Sequence, residues 1–195
     1  MTQEFNTTPF SLSKWIAVHF SGWILGVFFV LLFSGFLESL GITGRQFYLG
    51  IAMAIGLGIF QWFYLKQQQE TPVQFLLYTI LGMGLPWIFI DFISPLSQGF
   101  NLFTSVGFGS IFSAGLQARV INFSTKNTVV WIICSAVGWL AAAACLLLTE
   151  TTMHQLSSMP KILIAVLNLL LILSGGPIIG FFTGIALKKW DTVAS

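Results

Sequence analysis

The chain has 195 residues, of which 56% are hydrophobic and only 7% are charged, with a formal net charge of +2. Soluble domains carry about 25% charged residues, so the composition excludes an ordinary water-soluble fold. The small net charge, with no basic run longer than the pair Lys188–Lys189, excludes a nucleic-acid-binding surface. These numbers are typical of a protein whose main partner is the lipid bilayer.

Six apolar stretches follow a polar N-terminal segment and are separated by short polar joints. Each has about the length that a helix needs to cross ~30 Å of hydrocarbon. The predicted spans are Trp15–Phe36, Phe47–Leu65, Val73–Ile93, Leu102–Ile121, Thr128–Leu148 and Ile162–Leu187. The sequence therefore predicts an all-α polytopic membrane protein with six transmembrane helices in a single integral membrane domain, residues 1–195.

The distribution of Lys and Arg predicts the orientation, because basic residues near span ends are retained on the cytoplasmic side. Arg45 and Lys161 flank one side of the predicted spans. The other side is flanked by Lys14, Lys66, Arg119, Lys126, Lys188 and Lys189. We therefore expect both termini in the cytoplasm.

The first and last pairs of spans share a pattern that predicts repeated helical hairpins. Each pair opens with a tryptophan, has Gly-Trp seven residues later, and closes on Leu-Lys. The matched positions are Trp15, Gly22-Trp23 and Leu65-Lys66 in the first pair, and Trp131, Gly138-Trp139 and Leu187-Lys188 in the last. A shorter copy runs from Leu77 to Arg119, with Gly84 near the Gly-Trp position. The alternative is that these residues reflect the general composition of membrane helices.

Small residues recur at every fourth position in the second helix of each hairpin, in the manner of a glycine zipper. They are Gly50, Ala54 and Gly58 in the second span, Ser105, Gly109 and Ser113 in the fourth, and Gly176, Gly180 and Gly184 in the sixth. Such stripes permit close helix packing in lipid. They favour an inner layer formed by the second, fourth and sixth helices; a self-association face or a pore lining is the alternative.

His19 and Asp91 are candidate ligand-binding residues because ionisable groups inside spans are functional hypotheses by default. His19 lies one turn inside the first span, where Ser135 takes its place in the last hairpin, so a hydrogen-bonding role is favoured over a ligand-binding one. Asp91 lies ~27 Å along the third span. That depth favours a hydrated carboxylate at the outer interface, with an ion or substrate contact as the alternative.

Asn168 lies near the middle of the sixth span and precedes Gly175-Gly176-Pro177. Proline removes a backbone donor and clashes with the preceding turn, so we expect a break or kink in the helix. Broken helices at the midplane form binding sites in transporters, although proline kinks without a ligand are commoner. Asn168 is therefore a third candidate for ligand binding.

No motif for catalysis, metal binding or a cofactor occurs in the chain. Cys134 and Cys145 are the only cysteines and lie ~16 Å apart along one helix, too far for a disulfide or a shared metal. The sequence contains no nucleophile elbow, no zinc-protease motif and no P-loop. We therefore predict no catalytic residue, no metal ligand and no cofactor, and expect a protein that is not an enzyme.

The closing segment Gly58-Ile59-Phe60-Gln61-Trp62-Phe63-Tyr64-Leu65-Lys66 resembles the Gly-x-x-Gln-x-x-x-Leu-Arg signature of small multi-pass bacterial membrane proteins with hairpin repeats. Thr183 replaces the glutamine in the last hairpin. The resemblance implies a fold and a bacterial inner-membrane location, and no activity. Gln61, which fits the signature, is a fourth candidate for ligand binding. The size and span number are also similar to substrate-binding subunits of vitamin transporters, without a diagnostic motif.

Two classes of function remain open at this stage. The first is a non-enzymatic subunit or scaffold of a membrane complex, or a binder of an apolar ligand such as a lipid or pigment. It is favoured by 20 Phe and 7 Trp and by the near absence of charge within the spans. The second is a small-solute transporter, or the membrane-embedded binding subunit of one, favoured by the hairpins and by Asn168. Other membrane subunits or a second copy of the chain are the expected protein partners.

Overall fold

The computed structural model describes residues 10–43, 45–68, 71–93, 102–156 and 159–194. The predicted all-α class is confirmed, because the described residues form six helices. They are α1 (Leu12–Ser39), α2 (Phe47–Gln68), α3 (Gln74–Ile93), α4 (Leu102–Val120), α5 (Thr125–Gln155) and α6 (Lys161–Ala194). All six begin within three residues of the predicted spans, whereas α5 and α6 continue beyond them by seven residues.

Five of the described helices, α1, α2, α3, α5 and α6, are long and apolar enough to cross a membrane. This indicates a multi-pass membrane protein. The remaining helix, α4, has 19 residues but is not among these five, because polar residues interrupt its apolar sequence. Four of these polar residues are buried against the other helices, namely Ser105, Ser110, Ser113 and Gln117.

The helices form a closed ring rather than an inner and an outer layer. Each helix packs extensively against its neighbours in sequence, and α6 packs back against α1. Successive helices run antiparallel because short joints connect them. The expected inner layer of α2, α4 and α6 is therefore not present: all six helices surround a common axis.

Glycines permit backbone-level contact within three successive helix pairs. A Cβ on each of these glycines would press on the Cα atom of the facing helix. The contacts join Gly22 to Leu57, Gly82 to Ser113, and Gly138 to Ile179. The middle contact uses Gly82 rather than the predicted Gly84, because Gly84 faces the flexible side chain of Ile51.

The residues predicted to pack helices lie at helix contacts. A Cβ at Gly50 would overlap the Trp87 ring, and one at Gly58 would press on Leu76. Ala54 is fully buried. Gly176, Gly180 and Gly184 all face α1, through Trp23, His19 and Trp15 respectively. The pattern missed Gly56, whose Cβ would collide with the backbone of Gly22 and Gly26.

The predicted break in the sixth helix is wrong, because α6 is continuous from Lys161 to Ala194 with Pro177 inside it. Proline removes one backbone hydrogen bond, and neighbouring helices support such a turn in membrane proteins. The two glycines before Pro177 serve another purpose here. Gly175 and Gly176 leave room for the indole of Trp23 on α1.

Candidate functional site along the ring axis

Each of the six helices contributes one buried polar side chain to the interior near one end of the ring. We call this set the polar layer. Its members are His19, Gln61, Thr79, Gln117, Ser135 and Thr183, in the order α1 to α6. None is more than 6% exposed, so each needs a hydrogen-bond partner inside the protein or from a bound molecule.

His19 is the best-connected member of the polar layer. Its Nδ1 lies 2.9 Å from the Trp15 carbonyl oxygen, which only accepts, so Nδ1 carries the hydrogen. Its Nε2 lies 2.8 Å from the amide nitrogen of Gln61, which only donates, so Nε2 is the acceptor. One imidazole nitrogen therefore donates and the other accepts. His19 is thus a hydrogen-bond partner of Gln61.

The other polar-layer side chains extend the network around the axis. Thr183 on α6 accepts from Trp15 Nε1 at 3.0 Å and donates to the Ile179 carbonyl. Gln117 Nε2 on α4 donates to Thr79 Oγ1 on α3 at 2.8 Å. These bonds connect α1 with α2, α3 with α4, and α6 with α1. The layer therefore fixes helix register at one level of the ring.

Two polar atoms at this level have no hydrogen-bond partner among the described residues: Gln61 Oε1 and Trp131 Nε1. One is an acceptor and the other a donor, and both residues line a chamber of about 10 Å³ together with Ser135 and Thr183. That volume is about the space that one water molecule needs. We call this space the polar chamber. It has the size and chemistry for one uncharged molecule that both donates and accepts.

Bulky apolar side chains close the ring on one side of the polar layer. Trp15, Phe75 and Trp131 are 1% exposed or less, and Leu65 and Leu187 pack with them. The Trp15 ring contacts the His19 ring edge-on, with centroids 4.6 Å apart. This end of the axis is therefore filled.

On the other side of the polar layer the axis widens into an apolar cavity of about 240 Å³, which we call the tryptophan cavity. All six helices line it. The lining residues are Trp23, Val27, Val30, Leu49, Met53, Trp87, Leu102, Val106, Trp139, Ala143, Leu146 and Ile172. Every one of these side chains is apolar or aromatic, and Trp23 Nε1 donates to the Ile172 carbonyl at 2.7 Å.

The size and the lining of an apolar cavity determine which molecules it can hold. An engineered apolar cavity of ~150 Å³ in another protein stays dry and binds benzene or xenon, and ligand sites generally start near ~300 Å³. The tryptophan cavity falls between these values. Its lining favours a hydrocarbon chain or a small ring system over water or an ion.

Asp91 lies at the C-terminal end of α3 and has a structural role. It is only 7% exposed, so the expectation of a hydrated carboxylate is wrong. Its Oδ2 accepts from the backbone N–H groups of Gln46 and Phe47 at 2.9 and 3.0 Å, at the start of α2. Arg45 donates to the Asp91 carbonyl and lies over the Phe92 ring. Asp91 therefore caps the N-terminus of a neighbouring helix.

Asn168 is buried between α6 and α5. Its side-chain oxygen accepts a hydrogen bond from Thr152 Oγ1, and it does not line the tryptophan cavity or the polar chamber. Asn168 therefore lies at the contact of α5 and α6 and outside both spaces on the axis. The amide connects two helices instead.

Of the four predicted ligand-binding residues, the structure brings together only His19 and Gln61. Sequence reasoning missed Thr79, Gln117 and Thr183, although a signal existed. Thr79 follows buried Phe75 by four residues, as His19 follows Trp15; Gln117 and Thr183 precede buried Ile121 and Leu187 by four, as Gln61 precedes Leu65. Only this common spacing of four residues connects these positions in the sequence.

The described residues contain no group of three or more His, Cys, Asp and Glu side chains able to hold a metal ion. No protein-family model, curated protein or solved structure matches this chain. The geometry of the axial interior is therefore the basis for a functional assignment.

Proposed function

We propose that the protein is a six-span, non-enzymatic membrane protein that binds an apolar molecule in the tryptophan cavity. The observation that carries the proposal is an apolar cavity of about 240 Å³, lined by all six helices and closed on one side by the polar layer and its aromatic neighbours. A lipid chain or a pigment has the chemistry that this lining favours.

The sixth span in this proposal is α4. Its 19 residues extend about 28 Å at 1.5 Å per residue, close to the hydrocarbon thickness. Four of its polar side chains are buried, whereas Phe103, Phe108, Ile111 and Phe112 are exposed on its outer surface. A helix that is polar inside and apolar outside is suited to a position between α3 and α5 in lipid.

Three related helical hairpins, α1–α2, α3–α4 and α5–α6, are the proposed architecture. Supporting this, the close contact within each pair has the same spacing. On the first helix the glycine follows the polar-layer residue by three positions. On the second helix the contacted residue precedes the polar-layer residue by four. Equivalent contacts at equivalent spacing are expected of a repeat. The glycines and alanine of the predicted stripes serve this packing in the proposal.

The orientation in the proposal follows the basic residues. Both termini are placed in the cytoplasm, together with the filled end of the axis, and the tryptophan cavity lies in the outer half of the bilayer. A cysteine introduced at exposed Gln155 is expected to react with an impermeant reagent in intact cells. Reaction only after permeabilisation would reverse the orientation.

Retention of a native ligand tests the function. The protein, purified in mild detergent, is expected to carry an apolar molecule detectable by native mass spectrometry and by an absorbance scan. Ala143 is 2% exposed and lines the cavity, so Ala143→Phe fills the cavity and should abolish retention. Val137→Phe, on the 42% exposed surface of the same helix, is the matched control. An empty wild-type protein, or equal retention in both variants, contradicts the proposal.

A second candidate function is a small-solute transporter or the membrane-embedded binding subunit of one. It rests on the polar chamber, where Gln61 Oε1 and Trp131 Nε1 have no hydrogen-bond partner among the described residues. Because the chamber has room for only about one water molecule, it must open to admit a solute. This alternative predicts thermal stabilisation by a water-soluble metabolite that Gln61→Leu abolishes and Ala143→Phe does not affect. A role as the subunit of a larger complex predicts co-purifying membrane proteins instead.

A further inference from the structure

A second site lies outside the ring, in the groove between α4 and α5. The groove has a volume of about 680 Å³ and is separate from the axis. Along most of its length it is lined by apolar side chains, including Ile111, Phe112, Leu116 and Ile132. At one end it is lined by Arg119 and Asn122, where α4 ends and the chain turns into α5.

The polar end of the groove carries an available positive charge. Arg119 is exposed, and within the described part of the chain no hydrogen bond or ion pair engages its guanidinium group. The described acidic side chains, Glu38, Asp91 and Glu150, lie near the C-terminal ends of α1, α3 and α5, at the opposite end of the ring. The neighbouring Asn122 side chain is also exposed, so its amide group adds hydrogen-bond donors.

The groove is deep at the position of a glycine, which has no side chain to fill it. Gly115 lines the groove, and a Cβ at this position would meet nothing within 4 Å. A large residue here would therefore fill the groove without disturbing helix packing. Gly35 on α1 has the same open surroundings but is not part of the groove, so it provides a matched control.

We propose that this groove binds an anionic glycerophospholipid of the surrounding membrane. An acyl chain lies along Ile111, Leu116 and Ile132, and the phosphate is held by Arg119, whose planar guanidinium binds phosphate oxygens in pairs. Basic pockets between transmembrane helices at the cytoplasmic surface recognise anionic headgroups in this way. The apolar groove continuous with the charge selects a lipid over free phosphate.

Lipid titration followed by native mass spectrometry tests the proposal. The purified protein in neutral detergent is titrated with phosphatidylglycerol and with phosphatidylcholine carrying the same chains. We expect one phosphatidylglycerol to bind about fivefold more tightly than phosphatidylcholine, the factor expected for one basic residue at an anionic headgroup. Arg119→Gln should abolish this preference, and Arg119→Lys should restore part of it.

Matched variants separate this site from general charge and from the axis. Lys14→Gln, an exposed basic residue at the same end of the ring, should leave the preference unchanged. Gly115→Phe should weaken both lipids, whereas Gly35→Phe should weaken neither. In Ala143→Phe, which fills the tryptophan cavity, the preference should persist, so this test is independent of the proposed function.

Several results would overturn the proposal. Equal affinity of the wild-type protein for the two lipids is one, and a preference that survives in Arg119→Gln is another. Displacement of phosphatidylglycerol by millimolar inorganic phosphate would show that the site recognises phosphate alone. Because Arg119 is exposed, its substitution tests the proposal even if Gly115→Phe prevents folding.

Discussion

The polar layer and the tryptophan cavity are built by the same six helices on the same axis, yet one is filled and the other is hollow. At the polar layer, glycines bring neighbouring helices together, as where Gly180 lies against His19, and the side chains bond across the ring. At the cavity, large indoles from α1, α3 and α5 surround a space that they do not fill. The same six helices therefore fill the axis at one level and leave space on it at the other.

The comparison predicts opposite responses to added volume at the two levels. Inserting atoms into a well-packed region forces the backbone apart and costs stability. Inserting atoms into an apolar cavity is tolerated and commonly stabilises.

Gly180→Leu should be the most damaging substitution. A Cβ there would lie 2.9 Å from His19 Cβ and 3.0 Å from Ile16 Cα, so a leucine must separate α6 from α1. We expect a loss of about 3 kcal/mol in the free energy of unfolding, measured by reversible denaturation in detergent. Gly35→Leu, with open space around it, should change stability by less than about 0.5 kcal/mol. Equal losses would remove the argument for tight closure.

His19→Leu should cost about 2 kcal/mol, because it leaves the buried Gln61 amide without its acceptor. The double variant His19→Leu/Gln61→Leu removes both partners and should cost less than the sum of the two single losses. A double-mutant cycle by chemical denaturation measures this coupling. Additive losses would mean that the His19–Gln61 bond at 2.8 Å does not stabilise the layer.

Asp91→Ala should cost about 1 kcal/mol through loss of the cap on α2. The effect concerns the end of the ring opposite to the polar layer, where α2 begins. Asp91→Asn retains an acceptor oxygen and should cost less. Unfolding in detergent compares the two variants. A larger loss for Asn than for Ala would show that the carboxylate has a role other than capping.

Ala143→Phe should have the smallest effect on stability and is expected to leave it unchanged or raise it by up to about 1 kcal/mol when no ligand is bound. The added ring enters the tryptophan cavity, where Ala143 lies beside Trp139 and Val106. Thermal melting of delipidated protein provides the measurement. A loss of 2 kcal/mol or more would mean that the cavity is packed rather than hollow.

The apolar runs of the sequence predict the number of helices and their starts to within three residues, although α4 is not among the five helices that are long and apolar enough to cross a membrane. The ends of α5 and α6 are less predictable. The apolar run ends at Leu148, but polar residues continue the helix, and the hydroxyls of Thr149 and Thr151 donate to carbonyls one turn earlier. A helical hydrogen-bond ladder does not require apolar side chains, so the apolar run underestimates the length.

The site residues are harder to predict because their roles depend on partners that are distant in sequence. Asp91 looks like a hydrated interfacial carboxylate, but its partners are N–H groups 44 and 45 residues earlier. Asn168 and Pro177 suggest a broken helix, but Thr152 satisfies the amide and α6 remains continuous. The hydropathy of the sequence predicts the length of each helix and the depth of a residue along it. It does not predict which helix faces meet across the ring.

The contents of the tryptophan cavity test the account most directly. A crystal structure of the protein purified without delipidation, with a second crystal under xenon pressure, would reveal them. We predict elongated non-protein density between Trp23, Trp87 and Trp139 in the first crystal, and xenon at that position in the second if the native molecule has been removed, as for apolar cavities generally. Ordered water between the three indoles, or indoles packed together with no space between them, would contradict the proposal.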